Sequence, residues 1–230
     1  MHIVLFTFYL FLCCYLLTKL RCVRRSSLKK GLVLGFFMLH AAIGCLHNWI
    51  AWRYFHNHGD IWLFFHNSFV TRQQLRTGFA VFWTDNSRLA DLPHNLIEWL
   101  HVILNTCSWD NIYINTLLFS FLTLGGYLVL FETIYRRLNK DILCALSAIL
   151  LPSVLFWTSC IDTEGLVYPL LGWLVYYIDR LLAEGWNTRR VLCAGLVGGL
   201  AIFLRPALAV GLVPALAAWP DTGRWRGHRA

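Results

Sequence analysis

Three short segments carry the side chains with the most chemical promise. The first is His56-Asn57-His58-Gly59-Asp60, followed by His66. The second is Phe156-Trp157-Thr158-Ser159-Cys160-Ile161-Asp162-Thr163-Glu164, and the third is Leu204-Arg205-Pro206. Asp60 is a carboxylate able to accept a proton from an attacking hydroxyl. Asp162 and Glu164 form a close acidic pair, costly near membrane depth and so a functional candidate. Arg205 is a permanent cation suited to holding a phosphate by charge-assisted hydrogen bonds. His56 and His58 are of a type that suits zinc, but no helical His-x-x-x-His and no second cluster completes them, so a solvated loop is the simpler reading. The others have plain readings too. Asp60 fits a loop or a helix cap, Asp162 and Glu164 fit a helix N-terminus, and Arg205 fits a cation snorkelling to headgroups.

The elements that must position these residues are membrane helices. Of 230 residues, 58% are hydrophobic and 14% charged, against about 45–50% and roughly 25% in a soluble domain. That balance excludes disorder and argues against a water-soluble globule. Apolar runs cover residues 3–18, 31–52 (interrupted by His40, His47 and Asn48), 112–131, 142–158, 165–178, 191–204 and 207–219. A membrane helix needs roughly 17–25 such residues. The expected fold is therefore all-α, a polytopic bundle of six to seven spans, with the short runs flanking Arg205-Pro206 as the uncertain pair. Residues 3–18 have no basic leader and no small-residue cleavage site, and their positive charge follows them, so they read as a retained span rather than a signal peptide.

Charge gives the expected topology. Residues 19–30 hold Lys19, Arg21, Arg24, Arg25, Lys29 and Lys30, and further basic groups lie at 136–140, 180–190 and 224–229. Basic loops stay in the cytoplasm. Strict alternation of spans then puts 15 of the 20 basic residues and five of the 12 acids inside, a net of +10, and leaves −2 outside. The overall +8 thus reports orientation rather than a nucleic-acid partner. The expected organisation is an extra span plus basic loop (1–30), a transmembrane core (31–219) with a long outer loop (53–111), and a basic tail (220–230).

Within the outer loop, Ile61–Val70 and Leu96–Leu104 show helical periodicity, predicting helices along the membrane surface with Trp62, Trp83 and Trp99 at headgroup depth. Leu96, Ile97, Leu100, Ile103 and Leu104 share the expected apolar face, with Glu98 and His101 off it. Asp85-Asn86-Ser87 and Leu92-Pro93 read as turns or helix starts. A disulfide between Cys107 and Cys160 is a minor alternative to free thiols. Gly31-x-x-x-Gly35 and Gly195-x-x-x-Gly199 are candidate helix contacts.

With these features in order, the chain resembles the GT-C superfamily of polytopic membrane glycosyltransferases, which use polyprenyl-phosphate sugars. Tyr54–Phe65 (YFHNHGDIWLFF) is similar to the start of that family's first external loop, with its acid close to the membrane. Leu151–Leu166 (LPSVLFWTSCIDTEGL) resembles a Pro-Ser…Phe-Trp-Ser-Ser run leading to a Lys-Glu pair in bacterial members, and Leu204-Arg205-Pro206 resembles their Leu-Arg-Pro. The departures are Thr163 at the Lys position, an extra first span, and an end soon after Arg205 that reads as a shortened or truncated member. The resemblance implies an inverting sugar transfer in a bacterial inner membrane, with the site facing outward. The donor would be a polyprenyl-phosphate sugar, and the acceptor a glycan, lipid or protein. It implies Asp60 as the catalytic base, Arg205 on the donor phosphate, and Glu164 with Asp162 on the acceptor or on a divalent cation. Three other classes stay open: a non-catalytic relative that binds lipid or partner proteins, a small-solute transporter, and a His-dependent membrane oxidase or desaturase.

Overall fold

The computed structural model describes residues 2–55, 60–79, 82–83 and 92–218. These residues are helical, with no strand among them. The order is α1 (His2–Lys19), α2 (Arg21–Arg25), α3 (Lys30–Tyr54), α4 (Asp60–Thr77), α5 (Leu92–Ser108), α6 (Ile112–Arg137), α7 (Ile142–Leu150), α8 (Pro152–Thr158), α9 (Thr163–Glu184), α10 (Thr188–Leu204) and α11 (Leu208–Ala218). Four of them, α1, α3, α6 and α9, are long and apolar enough to cross a membrane. The chain is a membrane helix bundle by this measure.

The sequence sets several helix starts through side-chain caps. Asn111 accepts from the Tyr113 and Ile114 amides at 3.0 and 3.2 Å. Asp141 accepts from Leu143 and Cys144, and Asn187 from Arg189. Each cap satisfies amides that the first helical turn leaves without partners. The 142–158 run, expected as one span, breaks into α7 and α8 at Leu151-Pro152. Proline has no amide hydrogen and its ring clashes with the preceding turn, so the helix restarts with Pro152 in its first turn. The runs beside Arg205 form a 17-residue α10 and an 11-residue α11.

α6 is the central helix, packed by α1, α3, α7 and α9. Its apolar core joins Phe37, Leu117, Leu124, Phe131 and Ile149. A buried polar chain crosses this core. Tyr127 Oη donates to the Thr158 carbonyl at 3.2 Å, so its oxygen receives His40 Nε2 at 3.1 Å. His40 Nδ1 then accepts from Ser120 Oγ at 3.0 Å. Polar groups buried away from water need such partners, and here they lock the end of α8 against α3 and α6.

Close backbone approach explains two glycines. A β-carbon on Gly44 would meet the Ser159 carbonyl and lie 2.5 Å from Thr116 Cγ2. One on Gly126 would strike Pro169, whose Cα and Cβ both lie 2.5 Å away. Gly126→Ala is expected to destabilise the solubilised protein by about 1–3 kcal/mol, because the α6–α9 crossing must open. Denaturant unfolding of the purified protein checks this. By contrast, β-carbons built on Gly31, Gly35, Gly195 and Gly199 meet no atom within 4 Å. Among the described residues, neither G-x-x-x-G pair makes a close helix contact within the bundle.

The side of α5 off its apolar face is buried. Asn95, Glu98, His101 and Asn105 are buried together with Ile97 and Leu104, while Ile103 is 63% exposed. Asn67 Nδ2 donates to Glu98 at 2.8 Å, Thr71 Oγ1 to the same carboxylate at 3.2 Å, and Asn105 Nδ2 to Ser68 Oγ at 2.8 Å. Asn115 of α6 reaches Asn105 at 2.5 Å. Glu98 and Asn105 thus find their partners inside the bundle, as buried polar groups must. Trp62 Nε1 donates to the Asn48 carbonyl at 3.0 Å and pins α4 to α3. Asp85-Asn86-Ser87 and the 220–230 tail lie outside the described residues.

Candidate functional site

Asp60, Asp162, Glu164 and Arg205, from the three promising segments, converge. α9 runs for 22 residues, about 33 Å at 1.5 Å per residue. At its first turn Glu164 pairs with Arg205 at the end of α10, Nη2 to Oε1 2.8 Å. Toward its far end Asp179 pairs with Arg136 and Arg137, and Glu184 with Arg180 and Arg190. The carboxylates near Arg205 and these basic groups thus sit at opposite ends of α9.

A pocket of about 970 Å³ opens at the Arg205 end. Asp60, Asp162, Glu164 and Arg205 line it, together with His47, His94, Phe156 and Trp157. Asp60 is the first residue of α4 and is exposed. The turn behind it is held by Ile61, Phe64 and Phe65, all buried.

Asp162 fulfils its plain reading as well as lining the pocket. Its Oδ1 accepts from the Gly165 amide at 2.7 Å and so caps α9. Burial pushes its pKa up to about 8; the Gly165 bond opposes this, the charges of Glu164 and Asp60 add to it, and Arg205 draws it down. The carboxyl is therefore largely protonated at neutral pH. An unfolded Asp ionises near 3.9. Stability tied to this group is fully present below that value and is lost as pH rises through about 8. Asp162→Asn keeps an acceptor for the cap but removes the titration. Thermal melting of the purified protein across this window should fall more steeply with pH in wild type than in Asp162→Asn. Parallel curves would contradict the assignment.

His47 is the pocket residue that sequence reasoning passed over. Its ring stacks on Phe156 at 4.1 Å, with Nδ1 placed 3.0 Å from the Phe156 carbonyl and 2.8 Å from Cys160 Sγ. A carbonyl only accepts, so Nδ1 carries the hydrogen and Nε2 keeps a lone pair. The available signal was the placement of His40, His47 and Asn48 at seven- and eight-residue spacing, one stripe of an otherwise apolar helix. Cys160 is fully buried, its thiol pushed well above its ordinary range by burial. Cys107 is exposed and both thiols are free, so the Cys107–Cys160 pairing is not formed.

The metal candidates are not assembled as a ligand set. Among the described residues, no three His, Cys, Asp or Glu side chains come together for an ion. Asp162 already receives the Gly165 amide and Glu164 already faces Arg205. His56 and His58 lie outside the described residues.

A second hollow, about 520 Å³ and almost wholly apolar, runs between α5, α6, α9 and α10. Leu100, Ile103, Leu122, Leu170, Trp173 and Leu200 line it. It abuts the polar pocket: Leu204 precedes Arg205, Leu166 follows Glu164 by two residues, and Phe64 of the pocket packs with Leu100 and Leu166. The aliphatic face of α5 left open by the buried polar stripe forms one wall.

Comparison with protein-family models, with curated proteins and with solved structures finds no match.

Proposed function

We propose that this chain is an inverting membrane glycosyltransferase of GT-C type, transferring a sugar from a polyprenyl-phosphate donor. The observation that carries the reading is the nearness of two cavities: a pocket with carboxylates and an arginine, and an apolar hollow whose lining residues Leu204 and Leu166 lie next to Arg205 and two residues from Glu164 in the chain. An amphiphile with a phosphate head and a hydrocarbon tail matches both chemistries at once.

In this reading the prenyl tail occupies the groove beside Leu100, Leu170 and Trp173. The phosphate leaves Glu164 as the neighbour of Arg205 and takes its place on the guanidinium. The acceptor hydroxyl gives its proton to Asp60 while its oxygen attacks the anomeric carbon. The bond from that carbon to the phosphate oxygen breaks, and the phosphate departs with the electron pair. Arg205 stabilises the charge that develops on it. A single displacement inverts the anomeric centre. Protonated Asp162 donates to the acceptor, and Glu164, displaced from Arg205 by the phosphate, orients that acceptor. The basic loops belong in the cytoplasm, which turns this pocket to the outer face of a bacterial inner membrane.

One observation favours a second reading, a non-catalytic lipid-binding subunit: the cation meant for phosphate is already paired with Glu164. The two part on turnover. Purified protein in proteoliposomes, supplied with polyprenyl-phosphate sugars, releases polyprenyl phosphate under the first reading and only retains the donor under the second.

A further inference from the structure

The opposite end of the bundle holds a feature the transferase reading does not use. Arg21, Arg24 and Arg25 surround a hollow of about 280 Å³. All three side chains are exposed, and none meets a carboxylate among the described residues. Their neighbours at this end differ: Arg136 and Arg137 are paired with Asp179, and Arg180 and Arg190 with Glu184. Among the described residues, the acid that reaches the segment, Glu132, is consumed otherwise. It accepts from Ser26 Oγ at 2.8 Å, from Ser27 Oγ at 2.9 Å, and from the Ser27 amide.

The segment is also held firmly. Val23 and Leu28 are buried in the main core at 2% and 5% exposure. Three like charges therefore share one hollow on a segment anchored in the core, and an anion from outside relieves their mutual repulsion. The hollow lies between the end of α1 and the start of α3, two helices long and apolar enough to span. That places it where such helices leave the hydrocarbon, at headgroup depth. Guanidinium forks match phosphate oxygens in shape and charge, and Lys19, Lys29 and Lys30 flank the hollow without an acid in residues 19–30.

We propose that Arg21, Arg24 and Arg25 form a binding site for the phosphate headgroup of an anionic membrane phospholipid. The site is separate from the pocket at Arg205 and stands whether or not that pocket performs transfer.

Native mass spectrometry of the full chain in non-ionic detergent tests it, with short-chain phosphatidylglycerol and phosphatidylcholine as competing probes. Wild type is expected to prefer phosphatidylglycerol about tenfold. The triple variant R21Q/R24Q/R25Q should lose most of that preference with its helix content unchanged. The triple lysine variant keeps the charge, and with it any effect on membrane orientation, yet loses the planar forks; its preference should fall between the two. An unchanged preference in the glutamine variant overturns the site. So does displacement of phosphatidylglycerol from wild type by millimolar inorganic phosphate, which would mark a soluble-anion site instead.

Discussion

Asp60→Asn should lower sugar transfer by about 10²–10⁴-fold, the usual contribution of a positioned proton acceptor. The substitution keeps size and polarity and removes only the ability to take a proton. Asp60 is exposed at the first position of α4, so its loss leaves no buried group without a partner, and the fold should survive. Donor binding should also survive, because Arg205 and the apolar groove are untouched. The expected pattern is therefore a fall in kcat with little change in donor KM. Wild-type rates in Asp60→Asn, with normal melting and helix content, would remove Asp60 from the chemistry.

Arg205→Ala should reduce donor use by about 10²–10³-fold, in the range found when a group that stabilises developing negative charge is removed. Here both donor affinity and turnover should suffer, because the guanidinium meets the phosphate before and during its departure. Arg205→Lys should recover part of the loss: it restores the charge but not the two-pronged geometry. The side chain is 56% exposed and its partner Glu164 38% exposed, so breaking the pair costs little stability. A comparison of melting curves with donor titrations separates the two effects. Equal loss in stability and activity would mean that the Arg205–Glu164 pair holds the fold rather than the substrate.

Much of this arrangement was legible in the residues. The long apolar runs became α1, α3, α6 and α9 because their composition leaves little alternative to a helix with its backbone satisfied internally. The sharing of one face by Asp60, Asp162, Glu164 and Arg205 followed from counting spans and basic loops, and the shared pocket agrees with it. Other features depended on contacts that periodicity does not carry. Pro152 divides the fourth run, although its length alone suggested a span. α5 turns its polar stripe inward because Asn67, Thr71 and Ser68 of α4 supply partners, and no pattern within α5 announces them. His47 was visible as a polar interruption of an apolar helix, but its place in the pocket depends on Phe156 and Cys160, more than a hundred residues away in the chain.

The central claim is that the pocket at Arg205 breaks the bond between a sugar and a prenyl-linked phosphate. The direct measurement is release of free polyprenyl phosphate by the purified chain in proteoliposomes, over a panel of polyprenyl-phosphate sugars and hydroxyl acceptors, with the anomeric configuration of the product determined. The account predicts acceptor-dependent release from at least one donor, an inverted anomer, and loss of both in Asp60→Asn and Arg205→Ala. Donor that binds and is recovered intact with every acceptor, in protein whose fold is verified, would contradict it.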